Sequence, residues 1–316
     1  MKNIIRLLFV LQFILISCTK IVNQNIIIQK GKIYFNTATV DKNFKVLFLA
    51  DTHFTVEDGR GRDYYKYSKR MGGNAVEPLN YGNSNGNEQF LIASLEKAKR
   101  DSIELVILGG DIINFPSAAS VEYIHEILNN SGLNWVYIAG NHDWHYEGEP
   151  GKAIDQRTKW EQTTLKPLFK GKNPLYHSLI LHQVNFVFID NSTNEITNEQ
   201  LQFLKTEISK EMPIVLFMHI PIYFPMQNID YGCGHPNWNE KHDIYYKIER
   251  RLPWPKTGHS ATTLKFRELV VENEKIIGIF AGHTHYETID VSNNKIQYVV
   301  GSNSRGEDVT IHFIKQ

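Results

Sequence analysis

Five short apolar runs punctuate the chain, and each stops at an Asp, an Asn or a His. Residues 46–50 lead into Asp51-Thr52-His53, and 105–108 into Gly109-Gly110-Asp111. Residues 135–139 lead into Gly140-Asn141-His142-Asp143, 214–218 into His219, and 276–281 into Gly282-His283-Thr284-His285. Uninterrupted apolar runs of this length, closed by Gly or a polar turn, read as strands covered on both faces. Between the first three runs the spacing changes. Phe90, Leu91, Ser94, Leu95 and Ala98 fall on one stripe of a helix over 88–100, with Lys97, Lys99 and Arg100 suited to its C-terminal end. A second helix spans about 117–130 and stops near Gly132. The resulting β-α-β-α-β succession predicts parallel strands joined by right-handed crossovers.

The pattern continues with a helical stretch over 152–170, then two alternating strands, 177–181 and 185–190, folded about His182-Gln183. A helix over 197–210 opens with Thr197 and Gln200 in capping-box spacing. Another helix covers 260–272, and three strands (287–291, 296–300, 309–313) close the chain. Two stretches resist periodicity: 54–87, rich in Gly, Asn, Tyr and charge, and 220–260, rich in proline and carrying His235, His242 and His259. Irregular segments this long inside a compact domain are usually functional or mobile. Both leave from strand tips, so both should flank whatever those tips hold.

At 316 residues the chain is long enough for one large α/β domain with a substantial core. Lysine plus arginine equals aspartate plus glutamate at 34 each, so no net field favours a polyanion. The first eighteen residues differ from the rest. Lys2 and Arg6 precede an apolar block over 7–16 broken only by Gln12, and Leu15-Ile16-Ser17-Cys18 follows the layout of a bacterial lipobox. The expectation is a lipoprotein signal over 1–18 ending at Cys18, which becomes the lipidated residue. An exported protein anchored to the bacterial cell envelope follows from that. Residues 19–43 read as a tether and an edge strand, and 44–316 as a single domain with inserted loops 54–87 and 220–260. Beyond the anchor only Cys233 remains, which leaves neither a disulfide nor a zinc–thiolate cluster.

The chemistry sits at the strand tips. Asp51 with His53, and His283 with His285, are pairs separated by one residue, so each pair can reach one ion from the end of an extended strand. Asp111, Asn141 and His219 arrive from neighbouring strands. Mixed His, Asp and Asn donors suit zinc, iron or manganese and do not suit the all-oxygen shell of calcium. Seven such donors exceed what one ion needs. Two ions roughly 3.5–4 Å apart, bridged by a carboxylate, would use them all, an arrangement suited to in-line displacement at phosphorus. Any one of these residues alone could be a helix cap or a turn residue. That reading does not extend to all of them together.

Asp51-x-His53, Gly110-Asp111, Gly140-Asn141-His142-Asp143, a lone His219 and Gly282-His283-x-His285 resemble, in kind and in order, the calcineurin-like metallophosphoesterases over about 44–300. The resemblance implies an α/β fold of the four-layer α-β-β-α type, two mixed sheets face to face with helices outside. It implies that Asp51, His53 and His285 hold one metal, that Asn141, His219 and His283 hold a second, and that Asp111 bridges. A hydroxide between the ions would attack phosphorus. His142 would act without binding metal, stabilising the transition state or protonating the leaving group, with Asp143 orienting it through a hydrogen bond. Purple acid phosphatases carry a metal-binding tyrosine three residues after the Gly-Asp aspartate. Here that position is Asn114, so the purple site is not expected and manganese, iron or zinc all fit.

His145 and Tyr146 are candidate substrate contacts. The substrate expected is a phosphate mono- or diester: a nucleotide, a lipid headgroup or a phosphorylated glycan. A nuclease of the same fold is the nearest alternative, disfavoured by the neutral charge and the missing basic stripe. A surface binding protein without turnover is the alternative from another class, and the complete donor set argues against it.

Overall fold

The computed structural model describes residues 20–23, 25–243 and 256–316. The signal and lipidation readings at residues 1–18 and part of the second irregular segment therefore lie outside the described residues. Alternation along the central strands builds the layers. In β4 (Phe44–Leu49), the fourth strand in the chain, Val46 and Phe48 point into one apolar cluster and Leu47 and Leu49 into another. Each of these side chains is fully buried. A strand covered on both sides has no polar face to show, which is why the sequence reads as an unbroken apolar run.

Three strands precede β4: β1 (Lys20–Asn23), β2 (Ile26–Gln29) and β3 (Lys32–Thr37). After it come β5 (Leu105–Leu108), β6 (Trp135–Tyr137), β7 (Tyr176–Leu181) and β8 (Val184–Ile189). The last five are β9 (Ile214–Phe217), β10 (Ile276–Ala281), β11 (Thr288–Ser292), β12 (Lys295–Val299) and β13 (Val309–Lys315). They form two mixed sheets. One runs β1-β2-β3-β13-β4-β5-β6 and the other β11-β12-β10-β9-β8-β7. β4, β5 and β6 are mutually parallel, as are β8, β9, β10 and β12. The helices α1 (Tyr65–Gly72), α2 (Glu88–Arg100), α3 (Ala118–Asn130), α4 (Ala153–Gln162) and α5 (Lys166–Phe169) come before β7. Two more, α6 (Asn198–Ile208) and α7 (Ala261–Glu272), come later.

Three apolar clusters separate four layers. Leu91, Leu95, Val121, Ile124 and Leu128 of α2 and α3 cover the outer face of the first sheet. Leu201, Leu204, Phe266 and Val270 of α6 and α7 cover the outer face of the second. Between the sheets lies an aromatic layer centred on Phe217, whose ring lies 5.3–5.8 Å from the rings of Phe48, Phe186, Phe188 and Phe280. Burying each such ring contributes on the order of 2–3 kcal/mol. Gly109 is part of this packing, because a Cβ there would stand 2.5 Å from the Phe48 ring. The aromatic layer thus ends two residues short of His219 and gives the strand tips a rigid floor.

The sequence expectations and the structure part in three places. Residues 20–37 form three strands, and β3 is internal, paired with both β2 and β13. Ile26, Ile28, Ile33 and Phe35 alternate inward and bury themselves between the sheets, which a tether would not do. The helical stretch over 152–170 breaks at Thr163 into α4 and α5. The 54–87 stretch carries α1 and three short 3₁₀ turns, held down by Tyr64, Tyr67 and Met71 on the first cluster. The expected hairpin turn at His182-Gln183 is present, with φ of 49° and 69°, a left-handed pair that lets β7 and β8 keep their twist.

Candidate metal centre

The tips of β4, β5, β6, β9 and β10 lie side by side, and the backbone is strained where they meet. Asp51, His53, Asp111, His283 and His285 all have positive φ, between 48° and 72°. Left-handed backbone costs a branched or bulky side chain roughly 1–2 kcal/mol each, and it persists only where surroundings over-determine it. Alternation of an extended strand is therefore not what aims Asp51 and His53 at one space; successive left-handed turns do so. The loop after β12 fixes the first of them. Ser302 Oγ and the Ser304 N–H donate to the Asp51 carbonyl, the Asn303 N–H donates to that of Ala50, and Thr52 Oγ1 donates to Asn303 Oδ1. From the other side Asn87 Nδ2 donates to the carbonyls of Thr52 and His53, and Asn85 Nδ2 also donates to His53.

Two groups of donors form. In one, Asp51 Oδ1 lies 3.5 Å from His285 Nε2 and 3.9 Å from His53 Nε2, and the two imidazole nitrogens are 2.9 Å apart. In the other, His219 Nε2 is 3.2 Å from both Asp111 Oδ2 and Asn141 Oδ1, with His283 adjoining. Asp111 joins them, since the same Oδ2 is 3.9 Å from His53 Nε2. Its other oxygen, Oδ1, accepts the His142 N–H at 2.7 Å. Glycine makes this approach possible. A Cβ on Gly140 would stand 2.2 Å from Asp111 Oδ1, and one on Gly110 would stand 2.6 Å from His219 Nδ1.

These donors fit a cation. His219 Nδ1 donates to the Gly109 carbonyl at 2.9 Å, which turns a lone pair on Nε2 toward two oxygens that also carry lone pairs. Only a proton or a metal ion relieves that repulsion. Without metal, the proton wins. Burial opposes charge on His219, but the Asp111 carboxylate beside it outweighs burial and pushes it up to about 10. Asp111 itself stays well below the usual carboxylate range, because the His219 and His142 charges outweigh its burial. His53 and His283 go the other way. Burial and a cationic neighbour bring them down to about 3 and about 4, so they present neutral imidazole, the form that binds metal. Asp51 Oδ1 and His283 Nε2 are buried without a hydrogen-bond partner, as ligand atoms awaiting a cation would be.

His142 stands over the shared side, its ring centroid 4.6 Å from that of His53. Its partner is not the one expected. Nδ1 meets the backbone carbonyl and Oδ1 of Asn114, at 3.2 and 3.0 Å. Asp143 instead gives both oxygens to backbone: Oδ2 accepts the N–H groups of Asp111 and Gly140, both at 2.8 Å, and Oδ1 accepts that of Ile113 at 2.9 Å. Adjacent residues of a tight turn point in different directions, so one cannot brace the other's ring. Asp143 is a buckle that holds the tip of β5 against the tip of β6. Burial and the Asp111 charge push its carboxyl up to about 7. Asp143→Ala leaves three buried donors unpaired at roughly 1–3 kcal/mol each. The unfolding free energy should fall by about 3 kcal/mol or more; an unchanged urea midpoint would show that the buckle carries no load.

The two candidate substrate contacts do not reach the opening. Tyr146 is buried in the first apolar cluster, with its ring against Tyr64, Phe115 and Trp160. His145 is 1% exposed beside Trp144, whose Nε1 donates to Ser192 Oγ. Several supporting residues had no sequence signal. Asn85 and Asn87 act on the backbone of Thr52 and His53 from 32 to 35 positions away, and Asn303 accepts from Thr52 Oγ1 across 251 positions, and asparagine is too common in loops to stand out. Asn114 was visible only as the position where a tyrosine is missing.

Comparison with known proteins gives the centre a context. The family model described as calcineurin-like phosphoesterase matches residues 44–287. A protein of Fibrobacter succinogenes, named probable cyclic nucleotide phosphodiesterase, is 24% identical over 225 residues, which is 71% of this chain and 73% of that one. Among solved structures, a dimetal phosphatase from Danio rerio shares the fold with a TM-score of 0.50 at 12% identity, covering 82% of this chain and 88% of its own.

Proposed function

The chain belongs to the calcineurin-like phosphoesterase family and is a metal-dependent phosphoesterase, and we propose that it hydrolyses phosphate mono- or diesters at a dinuclear centre. Asp51, His53 and His285 would hold one divalent ion, Asn141, His219 and His283 the other, and Asp111 both. The observation that carries this reading is the single oxygen of Asp111 facing His219 on one side and His53 on the other. Manganese, iron and zinc all suit the donors. When bound, such a pair neutralises phosphate charge and supplies an activated water for attack at phosphorus.

The chain's own residues then have separate tasks. Asn114 accepts the Nδ1 proton of His142 and so leaves Nε2 to hand a proton to the departing oxygen. Asp143 keeps Asp111 and Gly140 in register. The strained tips are pre-set, so no backbone reorganisation is needed as charge develops. The Fibrobacter relative's name brings cyclic nucleotides among the candidate substrates, and lipid headgroups or phosphorylated glycans suit an exported enzyme equally. Purified protein should hydrolyse bis(p-nitrophenyl) phosphate or p-nitrophenyl phosphate, lose the activity to a chelator and regain it with manganese, iron or zinc. Activity indifferent to chelation would refute the reading.

The location is a separate proposal, resting on Leu15-Ile16-Ser17-Cys18. Lipid attached at Cys18 would tether the enzyme to the cell envelope. No helix among the described residues is long and apolar enough to cross a membrane. Cys18→Ser should move the protein from the membrane fraction to the soluble one, and unchanged membrane association would count against lipidation.

A further inference from the structure

The candidate ligands are not equally covered. The side chains of Asp51, Asp111 and His219 are 0–2% exposed and that of His53 is 14% exposed, whereas that of His285 is 42% exposed. Of these residues, His285 is therefore the one at the opening, and a substrate whose phosphorus sits among them must extend past it. The next residue is Tyr286, 68% exposed. An exposed aromatic ring is ordinary when isolated, but this one is furnished. Arg305 reaches from the loop after β12, donates through Nη2 to the His285 carbonyl, and lays its guanidinium over the Tyr286 ring, 5.3 Å from the centroid. Among the described residues no aromatic ring stacks on Tyr286, unlike Tyr123, the other exposed tyrosine, which lies on Phe54. A flat ring with a pinned, half-exposed arginine over one of its faces thus stands at the mouth.

We propose that Tyr286 and Arg305 form the subsite for the part of the substrate beyond the phosphate, and that this part is a planar nucleobase. It rests on the phosphoesterase reading of the same centre. The base stacks on Tyr286, as any base can on an aromatic face, and the remaining N–H groups of Arg305 donate to its ring nitrogen or carbonyl edge. The subsite chooses among esters by what they carry; it takes no part in breaking the bond. Glu307, 3.9 Å from Arg305 Nε, limits how far the guanidinium can swing.

The test uses two ligands with the same phosphate, adenosine 5′-monophosphate and ribose 5-phosphate, titrated calorimetrically into the metal-loaded protein. The nucleotide should bind about tenfold or more tighter, the gain expected of one base stacked on one ring. Tyr286→Ala should close that gap, Tyr286→Phe should keep it, and Arg305→Ala should narrow it. Equal affinities in the native protein, or a gap that survives Tyr286→Ala, would overturn the proposal. A gap present without any metal-dependent hydrolysis of bis(p-nitrophenyl) phosphate would remove the phosphoesterase reading and leave the subsite. Hydrolysis without a gap would do the reverse.

Discussion

Asp111→Ala is expected to lose both metal ions and to lower kcat/KM by at least about 10⁴. A metal pair would supply several kcal/mol of charge stabilisation, each 1.4 kcal/mol is about tenfold in rate, and on the proposed assignment Asp111 holds both ions. Nothing nearby can replace it. Asp51 already uses Oδ2 to accept the His283 N–H at 2.8 Å, and Asn141 carries no charge. The substitution also removes the counter-charge that holds His219 protonated in the metal-free chain, so that imidazole should titrate much lower. Metal content and kcat/KM measured together on a variant whose circular dichroism matches the native protein decide the matter. Native activity with both ions retained would mean that Asp111 does not bridge.

His142→Ala should behave differently. Its Nδ1 is engaged by Asn114, and its backbone N–H, which the substitution preserves, is what Asp111 uses. Both ions should stay. If His142 protonates the departing oxygen, kcat should fall by about 10²–10⁴. The deficit should be largest for alkyl esters and shrink for p-nitrophenyl esters, whose leaving group needs no proton. Loss of metal, or an equal deficit for both classes of ester, would take the proton-transfer role away from this residue.

Much of the architecture could be read in advance, for physical reasons. Central strands buried on both faces must be apolar throughout, so β4, β5, β6, β9 and β10 announced themselves, and the polar residues that end them marked the tips. The glycines before Asp111 and Asn141 were legible as turns closing the apolar runs, whereas the close approach they permit shows only in the structure. The N-terminal strands were harder. Ile26 to Gln29 is too short to show alternation, and it joins the sheet through β3, whose other neighbour is β13, almost three hundred residues later by sequence order. Helix α1 was illegible because YKYSKRMG has little apolar content, and its Tyr67 and Met71 find their cover only in tertiary structure. The orientation of Asp143 failed for a third reason. An Asn-His-Asp string says which groups are adjacent in the chain, whereas three backbone donors, two after β5 and one after β6 itself, decide where the carboxylate points.

The most direct test is a metal count on the chain itself. Chelator-treated protein dialysed against manganese should take up two ions per chain, and none should remain firmly bound in Asp111→Ala. Uptake of one ion or none by the native chain, or full uptake by the variant, would contradict a shared centre built from these five strand tips.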